Sequence, residues 1–196
     1  MKSSTHMTLG NFLSYSYLQD YPLIYRKAFT LGCIQPDKNP TTYLKGSFRW
    51  QWFRGHNWEN AKKYIHRSSK RLQNRKQLRL LDFYQLGKLI HYIADAFTYA
   101  HNKQYNDSLT AHRGYEQDLD ASLEHHLLLF GNEVGSEFLS AVSLIDYINV
   151  NHKEYMDSIP CLQNDVQYCL KTSAQVLQIL LQDKIPHQYS RKISIL

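Results

Sequence analysis

Two histidine–acid pairs, each spaced by one helical turn, are the residues of this chain best suited to chemistry. His91 and Asp95 lie four residues apart in LGKLIHYIADAFTYAH. His112 and Glu116 have the same spacing in HRGYE. Side chains four residues apart on a helix project side by side, and imidazole with carboxylate is a common ligand combination for zinc. With His101 between the pairs, the spacing predicts a divalent-metal site on two consecutive helices.

Each pair also has a simpler interpretation. The apolar face of the first helix is formed by Leu86, Leu89, Ile90, Ile93, Phe97 and Ala100. His91 and Asp95 fall on the remaining stripe, which could be solvated, with only a hydrogen bond between them. His112 and Glu116 fall on the inward face of the next helix, where a carboxylate needs a compensating partner. That partner would be a metal ion or a buried lysine or arginine.

Three upstream residues also have the chemistry of metal ligands. His6 precedes the first predicted helix. Asp37 lies in an aromatic-rich loop, where it could equally form an Asx-turn. His56 comes just before a helix, where it could lie near an N-cap. The other histidines are interpreted as surface or core residues, with His126 facing the core: His66, His125, His126, His152 and His187.

The elements that must position these residues are all predicted to be helices. They cover residues 8–20, 22 towards 32, 57 to beyond 66, 77–103, 112–130, 134–157 and 161–182. Pro36, Pro40 and two glycines predict an irregular loop over 33–56, and no segment has the period-two alternation of a strand. We therefore expect an all-α fold, a single-domain multi-helix bundle over residues 1–196 with the metal cluster in a cleft.

Composition limits the class of protein and its partners. A chain of 196 residues with 43% hydrophobic and 20% charged residues suits one folded domain and is not typical of a disordered chain. The formal net charge of +6 favours anionic partners such as phosphate esters, nucleic acid or anionic lipid headgroups. The densest basic run, within 70–79, is interpreted as a solvated helix connection with little aromatic interleaving. No stable nucleic-acid partner is therefore expected.

The cysteines and the N-terminal segment bear on location. Cys33, Cys161 and Cys169 do not have zinc-knuckle spacing and are expected to be buried free thiols of an intracellular protein. No apolar run reaches transmembrane length, and the N-terminal segment lacks both a continuous apolar region and a small-residue cleavage site. We therefore expect a cytoplasmic protein without a transmembrane segment, and the sequence leaves the oligomeric state open.

The order of these residues resembles the zinc-dependent phospholipase C family, which shares its fold with the single-strand-specific zinc nucleases. The matching segments span about residues 6–130 and include GCIQPD, FRGHNWENAKKYI, LGKLIHYIADAFTYAH and HRGYE. The order HYIAD, then His101, then HRGYE is the most specific part. The family is often secreted, which differs from the location expected from the N-terminal segment.

The resemblance implies two or three zinc ions held in a cleft of a helical bundle. The implied ligands form a first group of Asp37, His56, His91 and Asp95, a second group of His101, His112 and Glu116, and a third group of His6, Asp95 and the N-terminal amine. Asp95 is therefore shared between two ions.

The resemblance further implies a zinc-dependent hydrolase of phosphate esters, a phospholipase C-like phosphodiesterase acting on a phospholipid headgroup through a metal-bound hydroxide. Asp37 is the candidate to orient or deprotonate the water. Tyr99, Trp52 and Phe53 are candidates to line the cleft, although core packing would also explain them. Glu116 favours the phospholipase branch, since the nucleases tend to carry Asp there. The alternatives are a nuclease or nucleotidase on the same site and a non-catalytic helical domain stabilised by zinc.

Overall fold

Helices form the regular structure of this protein. The computed structural model describes residues 1–39, 41, 56–103, 109–130, 143–182 and 184. The elements are α1 (Ser3–Tyr17), α2 (Leu23–Lys38), α3 (Trp58–Gln73), α4 (Leu80–Ala96), a short 3-10 helix (Tyr99–His101), α5 (Leu109–Phe130), α6 (Leu144–Asp157) and α7 (Leu162–Leu181). Within the described ranges there is no strand, and the all-α prediction is confirmed.

Helix α4 lies at the centre of the bundle and packs against α1, α2, α3 and α7. Every residue from 89 to 96 is buried. A helix with this little exposed surface is surrounded by other elements on nearly all sides. The alternative in which His91 and Asp95 form a solvated stripe is therefore wrong, because both residues are 0% exposed.

Two glycines allow α2 and α4 to approach to backbone contact. A Cβ atom added to Gly32 would lie 2.2 Å from the carbonyl oxygen of Tyr84. A Cβ atom added to Gly87 would lie 2.0 Å from the carbonyl oxygen of Phe29. Both distances are far below van der Waals contact, so this helix crossing requires the absence of a side chain at both positions.

The same two helices run in parallel. Phe83 packs against Tyr25 near the start of each helix, with ring centroids 5.1 Å apart. Farther along, Nδ1 of His91 lies 2.8 Å from a carbonyl oxygen of α2. The C-terminal ends of α2 and α4 therefore lie at the same end of the bundle, where their last turns carry Asp37 and Asp95.

Three helices extend beyond their predicted bounds, since α5 begins at Leu109, and the changes in α1 and α2 concern the position of candidate ligands. Helix α1 begins at Ser3, so His6 lies inside it and does not precede it. Helix α2 continues through Pro36 to Lys38, so Asp37 is helical and residues 33–38 do not belong to a loop. Pro36 is tolerated in the last turn, where its ring is buried and the helix ends two residues later.

Helix α4, by contrast, is shorter than predicted and ends at Ala96 instead of residue 103. The Nδ2 group of Asn102 donates to the carbonyls of Ala96 and Thr98 at 3.0 and 2.9 Å. The Thr98 hydroxyl donates to the Asp95 carbonyl at 2.8 Å. The carbonyls of Asp95 and Thr98 also accept backbone N–H bonds from Thr98 and His101, so the side-chain bonds reinforce the turn that follows α4. His101 therefore lies on a separate turn.

Several other predictions concern the surface or lie outside the described residues. Cys33 and Cys169 are buried free thiols as expected, whereas Cys161 is partly exposed. The basic run within 70–79 is exposed around the connection from α3 to α4, as predicted. None of the described helices has the length and hydrophobicity needed to span a membrane. The described part of the 134–157 helix begins at Leu144, and Trp52, Phe53 and His187 lie outside the described residues.

Replacing Gly87 with alanine should destabilise the protein by about 2 kcal/mol or more, because the added methyl group meets backbone that cannot move away without separating α2 from α4. Urea unfolding measures the loss. Gly114→Ala is the matched control, since nothing lies within 4 Å of its added Cβ in α5. It should raise stability by about 0.5–1 kcal/mol through helix propensity. Equal stability of the two variants would contradict the close crossing.

Candidate metal centre

The structure brings all eight predicted ligand residues together near the C-terminal ends of α2 and α4. They come from α1, α2, the turn before α3, α4, the 3-10 helix and α5. Their ligand atoms lie within 4.8 Å of one another in three sets: His6, His91 and Asp95; Asp37, His56 and His91; and His101, His112 and Glu116. Their proximity is a property of the structure, and their role as zinc ligands stays a prediction.

The first group has spacings that fit one zinc ion. Nδ1 of His56 lies 3.2 Å from Nε2 of His91 and 3.1 Å from Oδ2 of Asp95. Nε2 of His91 lies 3.3 Å from the same Asp95 oxygen. Oδ1 of Asp37 lies 3.6 Å from each of these two imidazole nitrogens. Tetrahedral ligands about 2.0–2.1 Å from zinc lie about 3.3–3.4 Å from one another, so both imidazole nitrogens lie at distances suited to zinc ligands from each other and from both carboxylates.

Asp95 faces two groups with its two carboxylate oxygens. Its Oδ2 faces His56 and His91 of the first group. Its Oδ1 lies 3.1 Å from Nε2 of His6 and 2.9 Å from the α-amino group of Met1. This arrangement matches the shared position that the resemblance implied for Asp95. His91 also lies close to His6, with ring centroids 3.8 Å apart, so the first and third groups are adjacent.

The second group joins the 3-10 helix to α5. Nε2 of His112 lies 3.4 Å from Oε1 of Glu116. The positive charge that faces Glu116 is the Met1 amine, 3.4 Å away, which takes the place of the lysine or arginine considered from sequence. The same amine lies 3.4 Å from Nε2 of His101. Burial opposes the charge on Glu116, but His112 and the Met1 amine outweigh burial and lower its pKa to about 2.

Hydrogen bonds at the far ring nitrogens orient two of the histidines. Nδ1 of His91 donates to the Cys33 carbonyl at 2.8 Å. Nδ1 of His101 lies 2.9 Å from the Thr98 hydroxyl, which is itself a donor to the Asp95 carbonyl and therefore accepts from His101. In both rings Nε2 is then the lone-pair nitrogen and faces the cluster, as a metal ligand requires. The sequence signal for Thr98 was only its place on the polar stripe.

The protonation states of two buried histidines and of Asp95 also favour the binding of a cation. Burial, together with repulsion from His91, lowers the pKa of His6 to about 4. Burial likewise holds the pKa of His101 well below its usual range. Both imidazoles are therefore neutral at neutral pH, as metal binding requires. Burial opposes ionisation of Asp95, but the surrounding histidines and the Met1 amine reverse this effect and hold its pKa well below the usual range.

Hydroxyl groups at the start of α1 hold two acidic side chains. Ser3 donates to Oδ2 of Asp37 at 2.9 Å, which leaves Oδ1 to face the histidines of the first group. Ser4 and Thr5 donate to the two oxygens of Asp120 at 3.0 and 2.6 Å, which ties α1 to α5. The polar run Ser3, Ser4 and Thr5 was the available sequence signal, but its local spacing alone indicates no role.

The remaining described histidines lie outside the three groups. His152 is buried, stacks on Trp58 with ring centroids 3.9 Å apart, and places Nε2 3.1 Å from Oδ1 of Asn102. His126 is partly exposed and is not the core histidine that was predicted. His125 is exposed on α5.

Comparison with known proteins identifies one family. A family model described as zinc-dependent phospholipase C matches residues 5–162 of the 196-residue chain. The matched region includes all eight predicted ligand residues and covers more than half of the chain. Neither a curated protein nor a solved structure matches this chain.

The metal-free protein should lose stability as the pH falls from about 6.5 towards 4, in part because His152 is buried in its neutral form. Burial and the nearby Lys62 charge lower its pKa to about 4. The unfolded chain therefore binds the proton first, and stability rises with pH across this window. The stability advantage of the wild type over His152→Phe, which keeps a ring against Trp58, should shrink by about 2 kcal/mol between pH 7 and pH 5. Urea unfolding at both pH values tests this, and a constant difference would contradict it.

Proposed function

We propose that this chain, which belongs to the zinc-dependent phospholipase C family, is a zinc-dependent hydrolase that cleaves a phosphodiester bond in phospholipids. The observation that carries the proposal is the first group, in which the ring nitrogens of His56 and His91 lie 3.2 Å apart and each lies 3.1–3.6 Å from an oxygen of Asp37 and of Asp95, close to the separation of ligands on one zinc ion. The second observation is the shared Asp95, whose two oxygens face different groups. Adjacent sites of this kind are typical of phosphoryl-transfer enzymes that use more than one metal ion.

The environment of the site favours cations. Asp37 and Asp95 both lie in the last turn of a helix, where the macrodipole places partial negative charge. The ligands proposed for two or three zinc ions are those of the first, second and third groups. Zinc held there would supply Lewis acidity, which acidifies water and neutralises the charge of phosphate oxygens.

The composition of the second group supports catalysis over a structural role. A structural zinc is usually closed by four protein ligands, whereas a catalytic zinc commonly has three and keeps one position open. His101, His112 and Glu116 supply three side chains. With the N-terminal amine assigned to the third group, the remaining position is available to water or substrate.

A cavity beside the second group offers space for part of a substrate. Its volume is about 160 Å³, and His101 forms one wall. Trp58 and Met156 contribute apolar surface, and Asn102 contributes an amide. Lys103 lines the same cavity and pairs with Glu59 at 3.2 Å. The cavity therefore adjoins the proposed reaction centre and combines apolar surface with polar groups.

Asp37 is the proposed proton acceptor. Its Oδ1 faces the histidines of the first group, and Ser3 holds Oδ2 by a hydrogen bond. Its side chain is 8% exposed, whereas those of His91 and Asp95 are 0% and 1% exposed. Water therefore reaches Asp37 more readily than it reaches these two neighbours. A carboxylate so oriented can take the proton of the attacking water and hold it while phosphorus is attacked.

Elemental analysis and a substrate panel test the function. The purified chain should contain two or three zinc ions and hydrolyse phosphatidylcholine emulsions and a chromogenic phosphodiester, and a chelator should abolish both activities. His91→Ala should lower activity at least about 100-fold together with zinc content, whereas the exposed control His125→Ala should not. Chelator-sensitive cleavage of single-stranded DNA or RNA alone would indicate the nuclease alternative. Bound zinc without hydrolysis of any substrate would indicate a structural role.

Asp37→Asn separates proton transfer from metal binding. The amide cannot accept the proton of water, so kcat should fall about 100-fold to 10⁴-fold with little change in KM. His56, His91 and Asp95 remain as ligands, and most of the zinc should therefore be retained. Asn at this position keeps the size of the side chain and one oxygen. An unchanged kcat in zinc-loaded Asp37→Asn would overturn the role assigned to Asp37.

A further inference from the structure

A buried carboxylate outside the metal groups connects three helices. Asp165 lies in the first turn of α7 and is 0% exposed. Tyr155 of α6 donates its hydroxyl to Oδ1 of Asp165 at 2.6 Å. Tyr115 of α5 donates its hydroxyl to Oδ2. Burial raises the pKa of Asp165, and the two hydroxyl donors oppose that rise by each satisfying one carboxylate oxygen, so these side chains hold one another in place.

One of the two tyrosines also contacts the turn that carries a proposed ligand. The Tyr115 hydroxyl accepts a hydrogen bond from the backbone N–H of Tyr99 at 3.1 Å. The same N–H lies 3.5 Å from Oδ2 of Asp165. Tyr99 begins the 3-10 helix that ends at His101. On α5, Tyr115 directly precedes Glu116.

Tyr115 therefore connects the two elements that carry the second group, the 3-10 helix and α5, whereas Tyr155 does not. His101 comes from a turn after α4, and the other two members come from α5. These parts lie on separate elements, so their relative position depends on contacts between them. Tyr155 reaches the same carboxylate from α6, a helix that carries none of the proposed ligands.

We propose that Asp165, acting through Tyr115, is a positioning residue that holds His101 in register with His112 and Glu116. This inference rests on the proposed zinc-binding role of these three residues. The Asp165 carboxylate orients the Tyr115 hydroxyl by accepting its hydrogen bond. The hydroxyl oxygen is then directed at the Tyr99 N–H, and the turn is held against α5. Metal ligands must be placed to within about 0.5 Å, so loosening this contact weakens zinc binding.

Two conservative substitutions separate this role from general stabilisation. Tyr115→Phe and Tyr155→Phe each remove one hydroxyl that donates to Asp165, but only Tyr115→Phe also removes the nearer acceptor of the Tyr99 N–H, at 3.1 Å against 3.5 Å for Oδ2 of Asp165. Chelator competition on the zinc-loaded full chain should show that Tyr115→Phe weakens one zinc site about 10-fold to 100-fold. Tyr155→Phe should leave every zinc affinity within about twofold of the wild type. Urea unfolding of both variants measures how much stability each hydroxyl contributes.

Asp165→Asn provides a second test that does not depend on either tyrosine variant. Its single oxygen replaces two carboxylate oxygens, so the two hydroxyls can no longer both be bound as they are. The same zinc site should weaken, and the other sites should be unchanged. Equal zinc affinities in Tyr115→Phe and Tyr155→Phe would overturn the inference while leaving the proposed function intact. A wild-type chain that binds no zinc would instead refute the proposed function.

Discussion

The buried carboxylate of Asp95 is the constraint on which the rest of the site depends. It is 0% exposed, and its two oxygens contact partners from different parts of the chain. His6 comes from α1, His56 from the turn before α3, and His91 from the preceding turn of α4. An ionised carboxylate without compensation in such a place would cost several kcal/mol. The surrounding elements must therefore deliver cationic or metal-binding groups to this point.

The close crossing of α2 and α4 orients one of the proposed metal ligands, His91. Because Gly32 and Gly87 remove the side chains from the contact, the backbone of α2 comes within hydrogen-bonding distance of α4. The Cys33 carbonyl can then accept from Nδ1 of His91. That bond sets the tautomer of His91 and leaves its Nε2 for the cluster. Since the helices are parallel, the same contact also brings Asp37 to this end of the bundle.

The proposed ligands of the first group and those of the second group are held in place by different contacts. Three of the four members of the first group, Asp37, His91 and Asp95, lie on the long helices α2 and α4 and are brought together by the packing of these helices. The second group includes His101, which lies on a turn of three residues. That turn is held by side-chain bonds from Thr98 and Asn102 and by the Tyr99 contact with α5. The second group therefore depends on individual hydrogen bonds far more than the first does.

The sequence by itself determined the helical class and the two histidine–acid pairs, because both follow from local spacing. His91 with Asp95, and His112 with Glu116, are neighbours on any helix that contains them. Only the tertiary structure decided that the first pair is buried, since periodicity does not say whether a polar stripe faces water or another helix. It also decided that His6 and Asp37 are helical and that Asp165 lies within hydrogen-bonding distance of the turn of His101. These outcomes depend on contacts between residues distant in sequence, which local spacing does not encode.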